Sequence, residues 1–193
     1  MGLDILVCFD NNDEIYSNDY HNEKFDHFNK HSLSRTFCNL MCRKDVVSGE
    51  PELDQISKIT LVDISPIYKM ETYGSDNGEE LEFFLEMAET EEQRESIIKQ
   101  SQASKDKLKG NIDTVLATVT NLIDKLSKIN NLPKMLTDNG YDTLENEIYF
   151  ADFNKDKGQG YISNNFGQDL RNFKRFLEYA KAKGSTTTYF NYG

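Results

Sequence analysis

The alternation of apolar and polar residues predicts short strands at both ends of the chain and helices between them. Residues 3–9 form a short segment of mostly bulky or β-branched residues, apolar from Ile5 to Phe9, that is typical of a buried strand. The polar residues 10–13 predict a turn, after which residues 14–16 are expected to return as the second strand of a hairpin. Residues 186–192 predict a further strand near the C-terminus.

The last quarter of the chain predicts two more strands and one long helix. Residues 148–153 and 161–163 are expected to be strands on either side of a polar turn at 154–160. Gly184 lies where a helix C-cap belongs. The preceding helix is indicated by an apolar stripe at helical spacing: Leu170, Phe173, Phe176, Leu177 and Ala180.

Amphipathic helices are also expected before residue 91. Apolar residues recur at helical spacing in 31–43 and again in 79–89, where Leu81, Phe84, Leu85 and Ala88 share one face. Thr90 and Gln93 have the spacing of a capping box, so a new helix is expected to begin there.

The most regular apolar pattern lies between residues 91 and 130. Its second half is a heptad seam of residues that alternate four and three apart: Leu108, Ile112, Val115, Val119, Leu122, Leu126 and Ile129. Gly110 is the weak point of this pattern. Two structures remain open, a helical hairpin that turns near 109–111 or a long helical arm. Self-association into a homo-oligomer through 108–129 is a further alternative.

These elements together predict an α+β fold, in which a small sheet formed from the N- and C-terminal segments carries an inserted helical hairpin or long helical arm. The length of 193 residues suits a single domain over 1–193, with 91–130 as the hairpin or arm within it. No apolar run approaches the roughly 20 residues that a membrane-spanning helix needs, so no membrane partner is expected.

Charge and cysteine content narrow the classes of function. The chain has 22 Lys and Arg against 33 Asp and Glu, a net charge of -11. Direct binding of nucleic acid is not expected, because it needs a basic patch that neutralises phosphates. The three cysteines are an odd and sparse set for a disulfide framework, which favours reduced thiols and a cytoplasmic protein.

The negative charge is concentrated in one segment. Residues 71–95 hold ten acidic residues and one base, Arg94, whereas residues 171–184 carry a net charge of +4. Such a dense acidic surface is suited to docking on a basic protein partner. Its alternative is a solvated helix face that pairs with the basic segment of the same molecule. The candidate partner-binding residues are Glu79, Glu80, Glu82, Glu86, Glu89 and Glu92.

Histidines and cysteines form the second candidate site. On one continuous helix His27, His31, Cys38 and Cys42 would lie near one face, beside the apolar stripe. Fifteen residues of helix span about 22 Å, so no single metal ion reaches all four. Either pair would supply two ligands, or a Cys would act as a nucleophile with His31 or His27 as its base.

The opening residues Met1, Gly2, Leu3, Asp4 and Ile5 resemble a loose group of uncharacterised bacterial and phage proteins that begin MGLDI. The resemblance implies a bacterial or phage cytoplasmic origin and carries no activity or catalytic residue.

The expected function is a non-enzymatic, acidic protein-interaction module, such as an immunity protein or a phage or mobile-element inhibitor of a basic partner. No cofactor is expected. The alternative is a small metal-assisted or thiol-dependent enzyme that uses His27, His31, Cys38 and Cys42.

Overall fold

The fold is described from a computed structural model, which defines residues 4–17, 19–71, 79–139 and 144–192. Short 3-10 turns lie at Arg43–Asp45 and Leu132–Met135. The strands and helices of these residues follow in the order β1 (Ile5–Phe9), α1 (Asn12–Ile15), α2 (His27–His31), α3 (Arg35–Cys42), α4 (Glu52–Thr60), α5 (Ser65–Lys69), α6 (Glu79–Met87), α7 (Glu91–Leu108), α8 (Ile112–Leu126), α9 (Asn146–Tyr149), α10 (Phe166–Ala182) and β2 (Thr188–Tyr192).

The two ends of the chain form the sheet, as expected for this α+β fold. Strands β1 and β2 pair antiparallel, with Ile5 opposite Tyr192 and Phe9 opposite Thr188. The prediction of a return strand at 14–16 is wrong. Asn12 accepts a hydrogen bond from the backbone N–H of Phe9 (2.7 Å) and begins α1, so the chain leaves the sheet as a helical turn.

Helices α8 and α10 form the centre of the core. Helix α10 packs on α8 and α2, and α8 also packs on α4 and α5. The apolar stripe predicted for α10 is buried, with Phe173 and Leu177 fully inaccessible. Phe176 meets Phe9 edge to face with ring centroids 4.9 Å apart, which connects α10 to the sheet. None of the helices in the described residues is both long and apolar enough to cross a membrane.

The segment 91–130 is divided into α7 and α8. Gly110 has a left-handed φ of 76°, which interrupts the helix between Leu108 and Ile112. Asn111 fixes this break to β2, since its amide both donates to and accepts from the backbone of Thr188, each at 2.8 Å.

The two halves of the segment then have different neighbours. Helix α7 packs with α6, whereas α8 enters the core. The seam residues of α8 are buried within this chain and do not lie on its surface for a second copy to reach: Ile112, Val115, Val119, Leu122 and Leu126.

Three other local predictions differ from the structure: the helix over 31–43 begins later than expected, and the strands at 148–153 and 161–163 are absent. Helix α2 ends at His31 and α3 begins at Arg35, because the Ser34 hydroxyl caps the N–H of Phe37 at 3.1 Å. Residues 148–153 form the end of α9 and turns instead of a strand. There the Asn165 amide donates to the carbonyls of Ala151, Asp152 and Lys155, at 3.2, 3.0 and 2.9 Å. The expected strand at 161–163 is replaced by a single bridge between Gln159 and Ile162.

Candidate functional site

The predicted acidic residues lie on a helical hairpin formed by α6 and the first part of α7. We call residues 79–98 the acidic hairpin. Its turn is set by the capping box that the sequence predicts: Thr90 accepts from the N–H of Gln93, and Gln93 accepts from the N–H of Thr90, both at 3.2 Å. Arg94 donates to the carbonyl of Leu85 at 2.8 Å and closes the hairpin.

The hairpin presents its carboxylates to solvent. Glu82, Glu86, Glu89 and Glu92 are exposed, and within the described part of the chain none of them forms an ion pair. The side chains of Glu79 and Glu80 lie outside the described residues, although their backbone belongs to α6. Four of the predicted carboxylates therefore have no ion-pair partner within 4.0 Å among the described residues.

Large apolar side chains lie exposed on the same hairpin. The exposed fractions are 55% for Phe83, 47% for Phe84, 64% for Met87 and 53% for Ile98. Phe84 belongs to the apolar face that the sequence predicts for this helix, and that face leaves it exposed. Phe83 and Met87 are four residues apart and therefore share a face of α6. The helical spacing in the sequence could have predicted this second apolar face. Exposed apolar groups that cluster in this way are typical of interaction surfaces.

The basic residues of α10 pair elsewhere. Arg171 contacts Asp156 at 2.6 Å, and Lys181 contacts Asp113 at 2.5 Å. Lys174 contacts Glu178 of its own helix at 3.5 Å. The carboxylate partners of these three bases thus lie outside the acidic hairpin. Arg171, Lys174 and Lys181 therefore do not form the expected pairs between the acidic and basic segments.

His27 and His31 belong to an aromatic cluster between α2 and α10. The His31 ring stacks on Phe176 with centroids 4.8 Å apart and on His27 at 5.2 Å. Burial lowers the pKa of His31 to about 3, with further lowering by the charges of His27, Arg175 and Lys30. His31 is therefore a neutral imidazole at physiological pH.

Cys38 and Cys42 lie one turn apart on α3, a helix separate from the one that carries the histidines. Cys38 is inaccessible to solvent, and burial followed by the neighbouring Cys42 raises its pKa to about 12. A nucleophilic cysteine needs its thiolate form, which this environment disfavours. Among the residues that the structure describes, no group of three or more His, Cys, Asp or Glu side chains is placed to hold a metal ion.

A buried carboxylate that the sequence analysis missed connects α3 and α10. Asp169 is inaccessible and accepts four hydrogen bonds, from the N–H and hydroxyl of Ser34, the Tyr149 hydroxyl and the Asn164 amide. Burial raises its pKa to about 6, and the hydrogen bonds partly oppose that rise. No sequence motif marks this cluster, because its donors come from separate parts of the chain.

Comparison with models of protein families, with curated proteins and with solved structures finds no match to this chain. The resemblance of residues 1–5 to proteins that begin MGLDI stays a prediction, and residues 1–3 lie outside the described residues.

Proposed function

We propose that this chain is a non-enzymatic protein-interaction module that binds a basic protein through its acidic hairpin. The observation that supports this function is that one hairpin carries both exposed carboxylates that form no ion pair with the described residues and large exposed apolar side chains. The proposed setting is a bacterial or phage cytoplasm, where the module acts as an immunity protein or as an inhibitor from a phage or mobile element.

The two kinds of side chain would contribute differently to binding. Exposed carboxylates attract a cationic partner over the Debye length of about 8 Å at physiological salt, which speeds encounter and disfavours acidic competitors. The affinity would come mainly from burial of Phe83, Phe84 and Met87, at about 25 cal/mol for each Å² of apolar surface removed from water. The partner is therefore expected to present Lys or Arg beside apolar residues.

A second copy of this chain is a poor partner for the hairpin. Two hairpins brought face to face would place like charges against each other, which costs free energy. Three bases of α10 are engaged by Asp156, Glu178 and Asp113, and the fourth, Arg175, donates to the carbonyl of Lys30 at 3.2 Å.

Charge reversal with a matched control tests the proposal. A partner is first isolated by native co-purification from the source organism, identified by mass spectrometry and produced as a pure protein. Its affinity is then measured by calorimetry for the quadruple variant Glu82→Lys, Glu86→Lys, Glu89→Lys, Glu92→Lys. The control carries the same change of charge at exposed positions elsewhere: Asp19→Lys, Glu23→Lys, Asp124→Lys, Glu147→Lys.

The hairpin variant is expected to lose binding at low salt, whereas the control keeps most of it. Wild-type affinity is expected to fall as salt is raised, since the attraction between exposed charges is screened. Equal affinities of the two variants would overturn the proposal.

A further inference from the structure

A second surface, separate from the acidic hairpin, carries an apolar groove. The volume of the groove is about 440 Å³. This volume is within the range of roughly 300–1,000 Å³ that is usual for small-molecule sites. Its lining comes from β1 (Val7), the segment before α2 (Tyr20), α2 itself (Phe28 and His31) and the loop before α10 (Tyr161). None of its lining residues belongs to α6 or α7.

Aromatic and aliphatic side chains are exposed where they line the groove. The exposed fractions are 55% for Leu6, 56% for Phe28 and 45% for Tyr161. The rings of Phe28 and Tyr161 meet edge to face with centroids 5.7 Å apart. A flat aromatic ligand can pack against these two rings, because aromatic rings prefer edge-to-face and offset-stacked contacts.

Among the side chains that line the groove, His31 has a buried polar atom that forms no hydrogen bond within the described residues. Its side chain is only 6% exposed, and its Nδ1 is buried without a hydrogen-bond partner in the part of the chain that the structure describes. A buried polar atom without a partner costs free energy, and a ligand that bonds to it recovers that cost. The imidazole is neutral, so one of its ring nitrogens is an acceptor.

The charged groups beside the groove are already paired. Arg35 donates to Asp4 at 2.8 Å and 3.3 Å, and both residues line the groove. A charged ligand would have to compete with this ion pair, whereas an uncharged ligand leaves it intact.

We propose that the groove binds an uncharged, planar aromatic group that carries one O–H or N–H donor. The donor bonds to Nδ1 of His31, and the ring packs against Phe28 and Tyr161. This site does not depend on the function proposed for the acidic hairpin.

Phenol and toluene are the probes, because they have the same ring and the same number of heavy atoms and differ in the hydroxyl group. Each is titrated into the full chain, and binding is followed by the NMR signals of the groove residues. Phenol is expected to bind saturably at the groove. In His31→Phe, which keeps a ring against Phe176, phenol affinity is expected to fall about tenfold while toluene affinity stays within about twofold. Absence of saturable phenol binding, or equal changes for the two probes, would overturn the proposal.

A second pair of variants locates the site and does not depend on His31→Phe being folded. Tyr161→Ser removes an exposed ring that lines the groove, and Phe84→Ser removes a comparably exposed ring from the acidic hairpin. The first is expected to weaken both probes and the second to leave both unchanged. Equal effects of the two variants would mean that the probes bind exposed aromatic groups in general, and the groove would not be a site.

Discussion

Ser34 and Asp169, which are 135 residues apart in the sequence, are joined by two hydrogen bonds. The Ser34 N–H and hydroxyl donate to the two carboxylate oxygens at 3.0 and 2.6 Å, respectively. The same hydroxyl accepts from Phe37 and caps α3. One serine therefore both begins α3 and attaches it to α10.

The buried carboxylate predicts a pH dependence of stability. The pKa of Asp169 is about 6 in the folded chain against an ordinary value of 3.8. The folded state thus retains a proton that the unfolded state releases between these values. The contribution of this carboxyl to stability is complete below pH 3.8 and is lost as the pH rises to 6.

Replacement by Asp169→Asn tests this dependence. The variant is expected to be less stable at neutral pH, because one amide oxygen replaces two acceptors and the amide N–H groups face donors. The free energy of unfolding of the wild type minus that of the variant should decrease by about 2 kcal/mol between pH 4 and pH 6. Urea unfolding across this range measures the difference, and a pH-independent difference would contradict the assignment.

The buried ion pair of Arg43 and Glu52 predicts an asymmetric response to mutation. Arg43 donates to both Glu52 oxygens at 2.7 and 2.6 Å, and the exposed fractions of the two side chains are 2% and 0%. Arg43→Met leaves a buried carboxylate without its cation and should cost about 3–5 kcal/mol. The double variant Arg43→Met, Glu52→Leu should be more stable than this single variant in urea unfolding. A less stable double variant would show that Glu52 stabilises the fold through other contacts, such as its hydrogen bond from the Asn146 amide at 3.2 Å.

The two helices of 91–130 predict opposite sensitivities to truncation. Leu122 of α8 is fully buried, so Leu122→Ala should cost about 2–5 kcal/mol through lost burial and the cavity it leaves. Ile98 of α7 is 53% exposed, so Ile98→Ala should change stability by about 0.5 kcal/mol or less. Thermal unfolding of both variants checks the contrast. Similar losses would mean that α7 is packed more tightly than the structure indicates.

The left-handed backbone at Gly110 predicts that a substitution there lowers the free energy of unfolding through backbone strain alone. A Cβ atom added there would have no neighbour within 4 Å, yet the φ of 76° is unfavourable for L-residues. Gly110→Ala should therefore cost about 1–2 kcal/mol, and Gly110→Asn less, since Asn tolerates the left-handed region better. Chemical unfolding of the two variants gives the comparison. A more stable Ala variant would indicate that the helix continues through this position.

Local rules predicted the elements that depend on nearby residues. The strands at both chain ends, the apolar stripe of α10 and the Thr90 capping box follow from short-range spacing, and all are observed. The return strand at 14–16 and the strand at 148–153 were wrong. There, the Asn12 side chain accepts a hydrogen bond from the N–H of Phe9, and the Asn165 amide donates to three carbonyls. These bonds hold the chain in turns that residue type alone does not specify.

The candidate sites also have features that the sequence shows and features that it does not. The concentration of acidic residues in 71–95 is visible in the sequence, and periodicity places Phe84 on an apolar helix face without showing whether that face is covered. Its exposure depends on which neighbours α6 finds, and among the described elements its main contact is α7. The groove beside His31 was not predicted at all, since its lining comes from residues between 4 and 176.

The sequence by itself determined the α+β class, the inserted helices and the location of the negative charge, because helical period, strand alternation and residue charge are local properties. Only the tertiary structure decided which apolar faces are covered, which cations the carboxylates meet and which donors surround Asp169. These three features depend on contacts between residues far apart in the sequence, such as Ser34 with Asp169 and Asn111 with Thr188. Such contacts form, and contribute to stability, only when the chain is folded.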